Sequence, residues 1–198
     1  MSALPSLILL HGVGLNQSIW AAQARHFSAT HRVIAYDLLG HGKEAGRGAV
    51  LGDWVTQLEN VVEELGVKDF SLLGFSFGGM IAQAYAAKNA ARIDRLILMN
   101  TVHERSAIER AGILARLDLA RQEGPQAIIS AALARWFSPD AKPELLEHYA
   151  VMLRNNDAAS FLSAYDCFAK SDAELKGALA DFERPTLVMT GELDTGST

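Results

Sequence analysis

The sequence predicts an α/β protein, with a mostly parallel sheet flanked by helices and a helical cap inserted late in the chain. Two observations carry this prediction. Five short apolar runs each stop at glycine or polar residues, as expected of strands buried on both faces of a sheet. Patterns with helical periodicity separate these runs, and an alternation of strands and helices is typical of a parallel sheet.

The five apolar runs define the order of the predicted strands. In chain order they cover residues 7–10, 32–37, 70–73, 96–99 and 186–189. Before the third run, apolar residues recur at helical spacing from Trp54 to Leu65, and Gly66 ends that helix. A second helix is predicted after the third run, with one apolar face formed by Ile81, Ala84, Tyr85 and Lys88.

The stretch 102–181 shows helical periodicity and no strand signal. We therefore predict a core formed by residues 1–101 and 182–198, with residues 102–181 as an inserted helical cap. Aromatic and methionine residues recur in the cap at helical spacing, and such stripes usually pack in a core rather than contact a ligand.

Composition limits the classes of partner. The chain has 198 residues, a net charge of −5 and no long basic run, so we expect no nucleic-acid or membrane partner. A small-molecule substrate fits this charge, and a homodimer stays open. The single cysteine, Cys167, and the absence of zinc-ligand spacing predict a reducing, cytoplasmic location, no metal and no cofactor. No cationic leader or apolar span opens the chain, which favours the same location.

The segment from Leu72 to Gly79 is typical of a nucleophile elbow. Ser76 stands between glycines at the point where an apolar run gives way to a helical pattern. A tight strand-to-helix turn crowds its flanking positions, so we expect Gly74 and Gly78 to relieve that crowding and Gly79 to allow close packing. Ser76 is the predicted catalytic nucleophile. A glycine-rich turn of a nucleotide-binding fold is the alternative.

Other polar residues follow the predicted strands and should meet at one edge of the sheet, because ligands bind at the carboxyl ends of parallel strands. Asp194 is the predicted acid that orients a catalytic base, and Glu192 is a lesser candidate. The backbone N–H groups of Val13 and Phe77 are the predicted oxyanion hole. The predicted substrate-binding residues are His11, Gly12, Asn100 and Trp136.

Taken together, these motifs resemble the α/β-hydrolase superfamily with a helical cap over nearly the whole chain. The strand-end residues Met99 to Thr101 and the segment from Arg135 to Pro139 look closest to 3-oxoadipate enol-lactonase-like esterases. Epoxide hydrolases and haloalkane dehalogenases of this superfamily use an aspartate nucleophile, so Ser76 argues against both.

The resemblance implies a triad in the order serine, acid, histidine. All six histidines of this chain precede Asp194, and the chain has only four residues after it. We therefore expect a C-terminally truncated hydrolase that lacks its catalytic histidine, with an incomplete sheet. His103, just after a strand end, is the one histidine considered as a substitute base.

The resemblance thus implies a serine hydrolase of small carboxylic esters or lactones, impaired in this form. Two alternatives remain open. One is a ligand-binding or regulatory protein without turnover on the same scaffold. The other is a lyase, a thioesterase or a cofactor-free haloperoxidase of the same superfamily.

Overall fold

Five parallel strands form one sheet in the computed structural model, which describes residues 4–194 and 196. The strands are Ser6–Leu10 (β1), Arg32–Ala35 (β2), Phe70–Phe75 (β3), Ile93–Met99 (β4) and Thr186–Met189 (β5). Their order across the sheet is β2-β1-β3-β4-β5, and every neighbouring pair is parallel. The predicted strands and their parallel arrangement are confirmed.

Burial varies between the centre and one edge of the sheet. All five residues of β1 are buried, as an unbroken apolar run predicts for a central strand. All four residues of β5 are exposed, including Val188 at 70%. The expectation of burial on both faces is wrong for β5, because this edge strand pairs only with β4 and no described element covers its side chains.

Helices cover both faces of the sheet. After β1 comes the helix Ala21–Phe27 (α1). The loop after β2 leads to Leu51–Glu64 (α2), and β3 leads to Phe77–Asn89 (α3). The helix α2 ends before Gly66, whose φ of 62° is the left-handed conformation that favours glycine. The prediction that α3 has one apolar face is wrong. The helix is buried on nearly all sides, from Phe77 to Gln83 and at Tyr85 and Ala86, because it lies between the sheet and other helices.

Four helices lie between β4 and β5. They are Ala107–Glu123 (α4), Ile129–Trp136 (α5), Pro143–Arg154 (α6) and Ala158–Lys170 (α7), and they define what we call the helical segment. Ser106 and Glu109 form a reciprocal capping box at the start of α4, and the Asp157 carboxylate accepts the Ser160 N–H at the start of α7. Within the described residues no strand interrupts this stretch, as predicted.

The side chains of β1 divide between two apolar clusters, because successive residues of a strand point to opposite faces. Ile8 and Leu10 belong to the larger cluster, with residues of α2, α3 and the helical segment. Leu7 and Leu9 belong to the smaller cluster, beside Trp20. In the described part of the chain, no helix has the length and apolar character needed to cross a bilayer.

Candidate active site

Ser76 stands at the turn between β3 and α3 in a strained backbone conformation, with φ 54° and ψ −116°. The Ser76 N–H donates to the Met99 carbonyl at 2.9 Å, and the Thr101 hydroxyl donates to the Ser76 carbonyl at 2.6 Å. Hydrogen bonds on both sides of the residue therefore hold a conformation that costs about 1–3 kcal/mol. This is the geometry expected of a nucleophile elbow.

Three glycines make this turn possible. A Cβ at Gly74 would lie 2.3 Å from the Gly78 carbonyl oxygen, and one at Gly78 would lie 2.5 Å from the Leu10 carbonyl oxygen. A Cβ at Gly79 would lie 2.5 Å from the Cβ of Thr101, just past β4. The predicted crowding at the flanking positions, and the close approach of α3 to the neighbouring strand, are confirmed.

The loop after β1 lies against this turn. A Cβ at Gly12 would lie 3.2 Å from the Ser76 Cβ, so the loop backbone passes directly beside the serine. Val13, the next residue, lines the cavity into which Ser76 opens. Among the described residues, neither the Val13 N–H nor the Phe77 N–H meets a hydrogen-bond acceptor. Two such donors beside the predicted nucleophile suit an oxyanion hole, and both roles stay predictions.

His11 lies behind this loop rather than in the cavity. The side chain is fully buried, its Nε2 accepts the Leu38 N–H at 2.9 Å, and its Nδ1 lies 2.8 Å from the Gly12 carbonyl oxygen. Burial, followed by the nearby His41, lowers the pKa of His11 to about 3. With both ring nitrogens engaged, His11 is placed to shape the loop, and it is not among the residues that line the cavity.

Asp194 lies near the carboxyl end of β5, half-buried and hydrogen-bonded through both oxygens. Its Oδ2 accepts from the Asn100 Nδ2 at 2.6 Å, and its Oδ1 accepts the Gly196 N–H at 2.8 Å. Asn100 has a positive φ of 47°, and its own N–H donates to the Met189 carbonyl at 2.9 Å. Asn100 was predicted to bind substrate, but its amide contacts Asp194, so the geometry favours a positioning role.

Ser76, Asn100 and Asp194 line one cavity of about 840 Å³, whose other walls come largely from the helical segment. Trp136, predicted to contact substrate, also lines it. Three aromatic residues of α7, Phe161, Tyr165 and Phe168, pack against the core and also line the cavity. The expectation that such residues only pack in the core therefore does not hold for α7.

In the described part of the chain, no histidine lines this cavity. His11 and His41 are buried behind the loops, and His103 is exposed, with its Nδ1 3.1 Å from the Gln83 Oε1. His103 therefore does not approach Ser76 as a substitute base. Within residues 4–194 and 196, no group of three or more His, Cys, Asp or Glu residues is placed to hold a metal ion.

Charged residues of the cavity were missed by the sequence reasoning. Arg105, Glu109, Arg116 and Arg135 all line it. Arginines on amphipathic helices usually face solvent, so their spacing alone gives no signal that they face a cavity. Arg135 lies in the segment from Arg135 to Pro139 that suggested a subgroup, which is the one hint that the sequence offered.

Comparison with known proteins agrees with this geometry. The model of the alpha/beta hydrolase fold family matches residues 5–196. The chain is 29% identical to the (E)-2-((N-methylformamido)methylene)succinate hydrolase of Acinetobacter baylyi, over 97% of this chain and 73% of that protein. It is also 29% identical to 3-oxoadipate enol-lactonase 2 of the same organism, over 98% of this chain and 73% of that protein.

A solved structure of an enol-lactonase is similar to this chain in fold. The crystal structure of the enol-lactonase from Burkholderia xenovorans LB400 superposes with a TM-score of 0.87 at 28% identity, and the alignment covers 96% of this chain and 74% of that one. The family match spans almost the whole chain, and this solved structure shares its fold. The chain therefore belongs to the alpha/beta hydrolase fold family.

Proposed function

We propose that this protein is a serine hydrolase of small carboxylic esters or lactones, of the 3-oxoadipate enol-lactonase-like kind. The observation that carries the proposal is Ser76, held in a strained strand-to-helix turn and opening into a cavity that Asp194 also lines. Relatives named as a succinate-derivative hydrolase and an enol-lactonase support the same reaction class. In this reading, residues 102–181 form the cap over the site.

The reaction is acyl transfer in two steps. The Ser76 Oγ attacks the substrate carbonyl carbon while a base takes its proton, and the Val13 and Phe77 N–H groups stabilise the negative oxygen. The alkoxide leaves with that proton, or stays attached if the substrate is a lactone. Water then attacks the acyl-serine carbonyl and releases the acid. Asp194, fixed by Asn100, orients the base.

The base itself is a histidine that we place outside these 198 residues. Two observations support this part of the proposal: no histidine among the described residues lines the cavity, and the β5 side chains are exposed where further polypeptide would pack. Without its base, a triad enzyme retains only about 10³–10⁴-fold acceleration over water. The 198-residue chain should therefore turn over esters slowly.

A second candidate is a binding protein that uses the same cavity without turnover. The absence of a histidine from the described cavity wall favours it, since Ser76 then has no group to take its proton. The two candidates differ in one respect. A hydrolase lacking only its base should respond to a base supplied from solution.

The test is hydrolysis of p-nitrophenyl acetate by the 198-residue chain at increasing imidazole concentration. Imidazole can enter a cavity of about 840 Å³ and act as the base, so the rate of the native chain should rise more steeply than that of Ser76→Ala. The Ser76→Ala rates also subtract the reaction of imidazole with the ester. Ser28→Ala, at an exposed serine outside the cavity, serves as the matched control and should behave as the native chain.

Two outcomes count against parts of this proposal. Equal rates for the native chain and Ser76→Ala at every imidazole concentration would exclude Ser76 as nucleophile and favour the binding protein. Fast, Ser76-dependent turnover without imidazole would show that a base is already present, against the proposed missing histidine.

A further inference from the structure

One residue of the helical segment reaches the loop that carries the Val13 N–H. Asn156 lies in the short turn between α6 and α7, and its Nδ2 donates to the Gly14 carbonyl at 2.8 Å. Gly14 is buried, and among the described residues no other donor reaches its carbonyl. Neither Asn156 nor Gly14 is among the residues that line the cavity, so their contact lies outside the space that a substrate would fill.

The Asn156 amide is itself held in place. Its Nδ2 also donates to the carbonyl oxygens of Met152 and Leu153, at 3.0 and 3.1 Å, in the last turn of α6. Carbonyls at the end of a helix lack intrahelical donors, so one side chain satisfies two of them and the loop carbonyl together. Three carbonyl oxygens around one atom require a donor there, and the carboxylate of an aspartate would face them with negative charge.

Two peptide groups connect this contact to the Val13 N–H. The first joins Gly14 to Leu15: Asn156 binds its carbonyl, and its N–H donates to the Gly12 carbonyl at 3.2 Å. The second joins Gly12 to Val13, with that carbonyl on one side and the Val13 N–H on the other. Peptide groups here are planar and trans, so a hydrogen bond that fixes a carbonyl also fixes the direction of the N–H across the same bond.

A chain of hydrogen bonds therefore runs from Asn156 through both peptide groups and ends at the Val13 N–H. Each bond in such a chain polarises the next, which makes the last N–H a stronger donor. His11 supports the same Gly12 carbonyl from the core. Its Nε2 accepts the Leu38 N–H, so the neutral ring has its proton on Nδ1, 2.8 Å from the Gly12 oxygen. The loop is thus held by the core on one side and by the helical segment on the other.

We propose that Asn156 is a positioning residue for the oxyanion hole, which directs the Val13 N–H at the developing negative oxygen without touching the substrate. The inference rests on the proposed hydrolase function for the role of Val13, but the hydrogen-bond chain does not depend on turnover. Because Asn156 belongs to the helical segment, this segment then affects the rate of the chemical step as well as the shape of the cavity.

The test compares Asn156→Asp with Asn155→Asp. Both place the same charge in the same turn with little change in size, but Asn155 is exposed and its side chain has no hydrogen-bond partner among the described residues. The Ser76-dependent, imidazole-assisted hydrolysis of p-nitrophenyl acetate should slow by at least about tenfold in Asn156→Asp, because an oxyanion donor contributes about 10²–10³-fold to kcat. KM should stay unchanged, and Asn155→Asp should behave as the native chain.

A second substrate separates positioning from a loss of folded protein. In O-(p-nitrophenyl) thionoacetate a sulfur atom replaces the carbonyl oxygen, and sulfur accepts hydrogen bonds only weakly. The native chain should prefer the oxygen ester, and Asn156→Asp should lose most of that preference. Partial unfolding lowers both rates equally and leaves their ratio unchanged. Asn156→Ala, which removes the donor without adding charge, should shift the ratio in the same direction and carries the test if Asn156→Asp fails to fold.

Amide hydrogen exchange tests the chain of hydrogen bonds without any reaction. The Leu15 N–H should exchange at least about tenfold faster in Asn156→Asp than in Asn155→Asp or the native chain, because its hydrogen bond to the Gly12 carbonyl opens more often. This measurement needs neither Ser76 nor a base.

Two results would overturn the inference. They are equal Leu15 exchange in Asn156→Asp and Asn155→Asp, and a Ser76-dependent reaction whose ester-to-thionoester ratio is the same in both variants. Neither result bears on the hydrolase proposal, which is tested by the Ser76 dependence of the native chain. Absence of a Ser76-dependent reaction in the native chain would instead contradict the hydrolase and, with it, the positioning role, whereas the exchange comparison would still show whether Asn156 holds the loop.

Discussion

Backbone hydrogen bonds and close backbone packing hold Ser76 in its strained conformation. Its N–H donates a hydrogen bond to the carbonyl of Met99, the last residue of β4, and its carbonyl accepts one from the Thr101 hydroxyl, just after β4. Gly74, Gly78 and Gly79 allow the backbones of β1, β3 and α3 to approach within distances that no side chain would permit. Ser76 is therefore positioned by backbone packing rather than by contacts of its own side chain.

Gly79→Ala should destabilise the fold, whereas Gly52→Ala should not. Both glycines are helical, but a Cβ at Gly79 would lie 2.5 Å from Thr101, and one at Gly52 would meet nothing within 4 Å. We expect a loss of about 1–3 kcal/mol for Gly79→Ala from overpacking. Gly52→Ala should gain about 0.4–1 kcal/mol from reduced unfolded-state entropy. Urea unfolding measures both, and equal stability of the two variants would contradict the close packing at Gly79.

The sequence predicts some residues of the site well and others not at all. Ser76, Asn100 and Asp194 were predicted because they follow apolar runs, and the carboxyl ends of parallel strands share one edge. The link from Asn100 to Asp194 could not be predicted, since it depends on a positive φ and on side-chain direction. Arg116 and Arg135 face the cavity only because of how α4 and α5 pack.

At the scale of elements, one buried carboxylate joins the two ends of the helical segment. Asp172 follows α7 in a short 3-10 turn over Ser171–Leu175. It accepts the Arg105 N–H at 2.8 Å and pairs with the side chains of Arg105 and Arg110 at 3.1 and 2.8 Å. Burial by itself would raise the pKa of Asp172, but these hydrogen bonds and charges lower it below its ordinary value. The start of α4 is thereby tied to the end of α7.

Asp172→Asn should destabilise the protein by about 3–5 kcal/mol, because it leaves two arginines without their buried partner. Asp166→Asn is the matched control: Asp166 also contacts two cations, Arg121 and Lys170, but it lies nearer the surface. Exposed pairs of this kind contribute about 0–1 kcal/mol. Thermal and urea unfolding compare the two. Similar small losses in both would mean that Asp172 does not anchor the segment.

The positions of strands and helices were predicted more reliably than how deeply each of them is buried. Each of the five strands was found from its apolar run, with bounds that differ by up to three residues, as at the start of β4. The burial of α3 on nearly all sides was not predicted, because helical periodicity shows which residues are apolar and not how many neighbours surround the helix. The exposure of β5 depends likewise on what packs against it.

At the scale of the molecule, acid should unfold the protein through its buried histidines. Burial is the main cause that lowers the pKa of His11, to about 3, and that of His41 below its ordinary value near 6.5. Both are neutral when folded but take up protons when unfolded at pH below about 6.5. The free energy of unfolding should therefore fall as pH drops from about 6.5 toward 3, by about 1.4 kcal/mol per pH unit from His11, and His41 adds a loss in the same direction.

Urea unfolding at pH 7.5 and pH 5.5 measures this dependence, and His41→Asn should reduce it by removing one of the two groups. The comparison uses the difference between the two pH values in each variant, so a general loss of stability in His41→Asn does not affect it. Unchanged stability of the native chain across this range would contradict neutral, buried histidines.

The overall architecture was the most predictable level. Alternating strand and helix patterns predict a parallel sheet with crossovers, and the structure has such a sheet, in the order β2-β1-β3-β4-β5. The cavity was not predictable in size or charge, since it forms only where the helical segment meets the sheet edge.

The helical segment leaves the sheet after β4 and returns at β5, so all of its four helices are encoded by one uninterrupted stretch of chain. Substitutions, insertions or recombination within that stretch can rebuild the walls of the cavity while Ser76 and Asp194 stay where the strands put them. Changes within one contiguous piece of gene can thus alter the walls of the cavity and leave the strands that position Ser76 and Asp194 as they are.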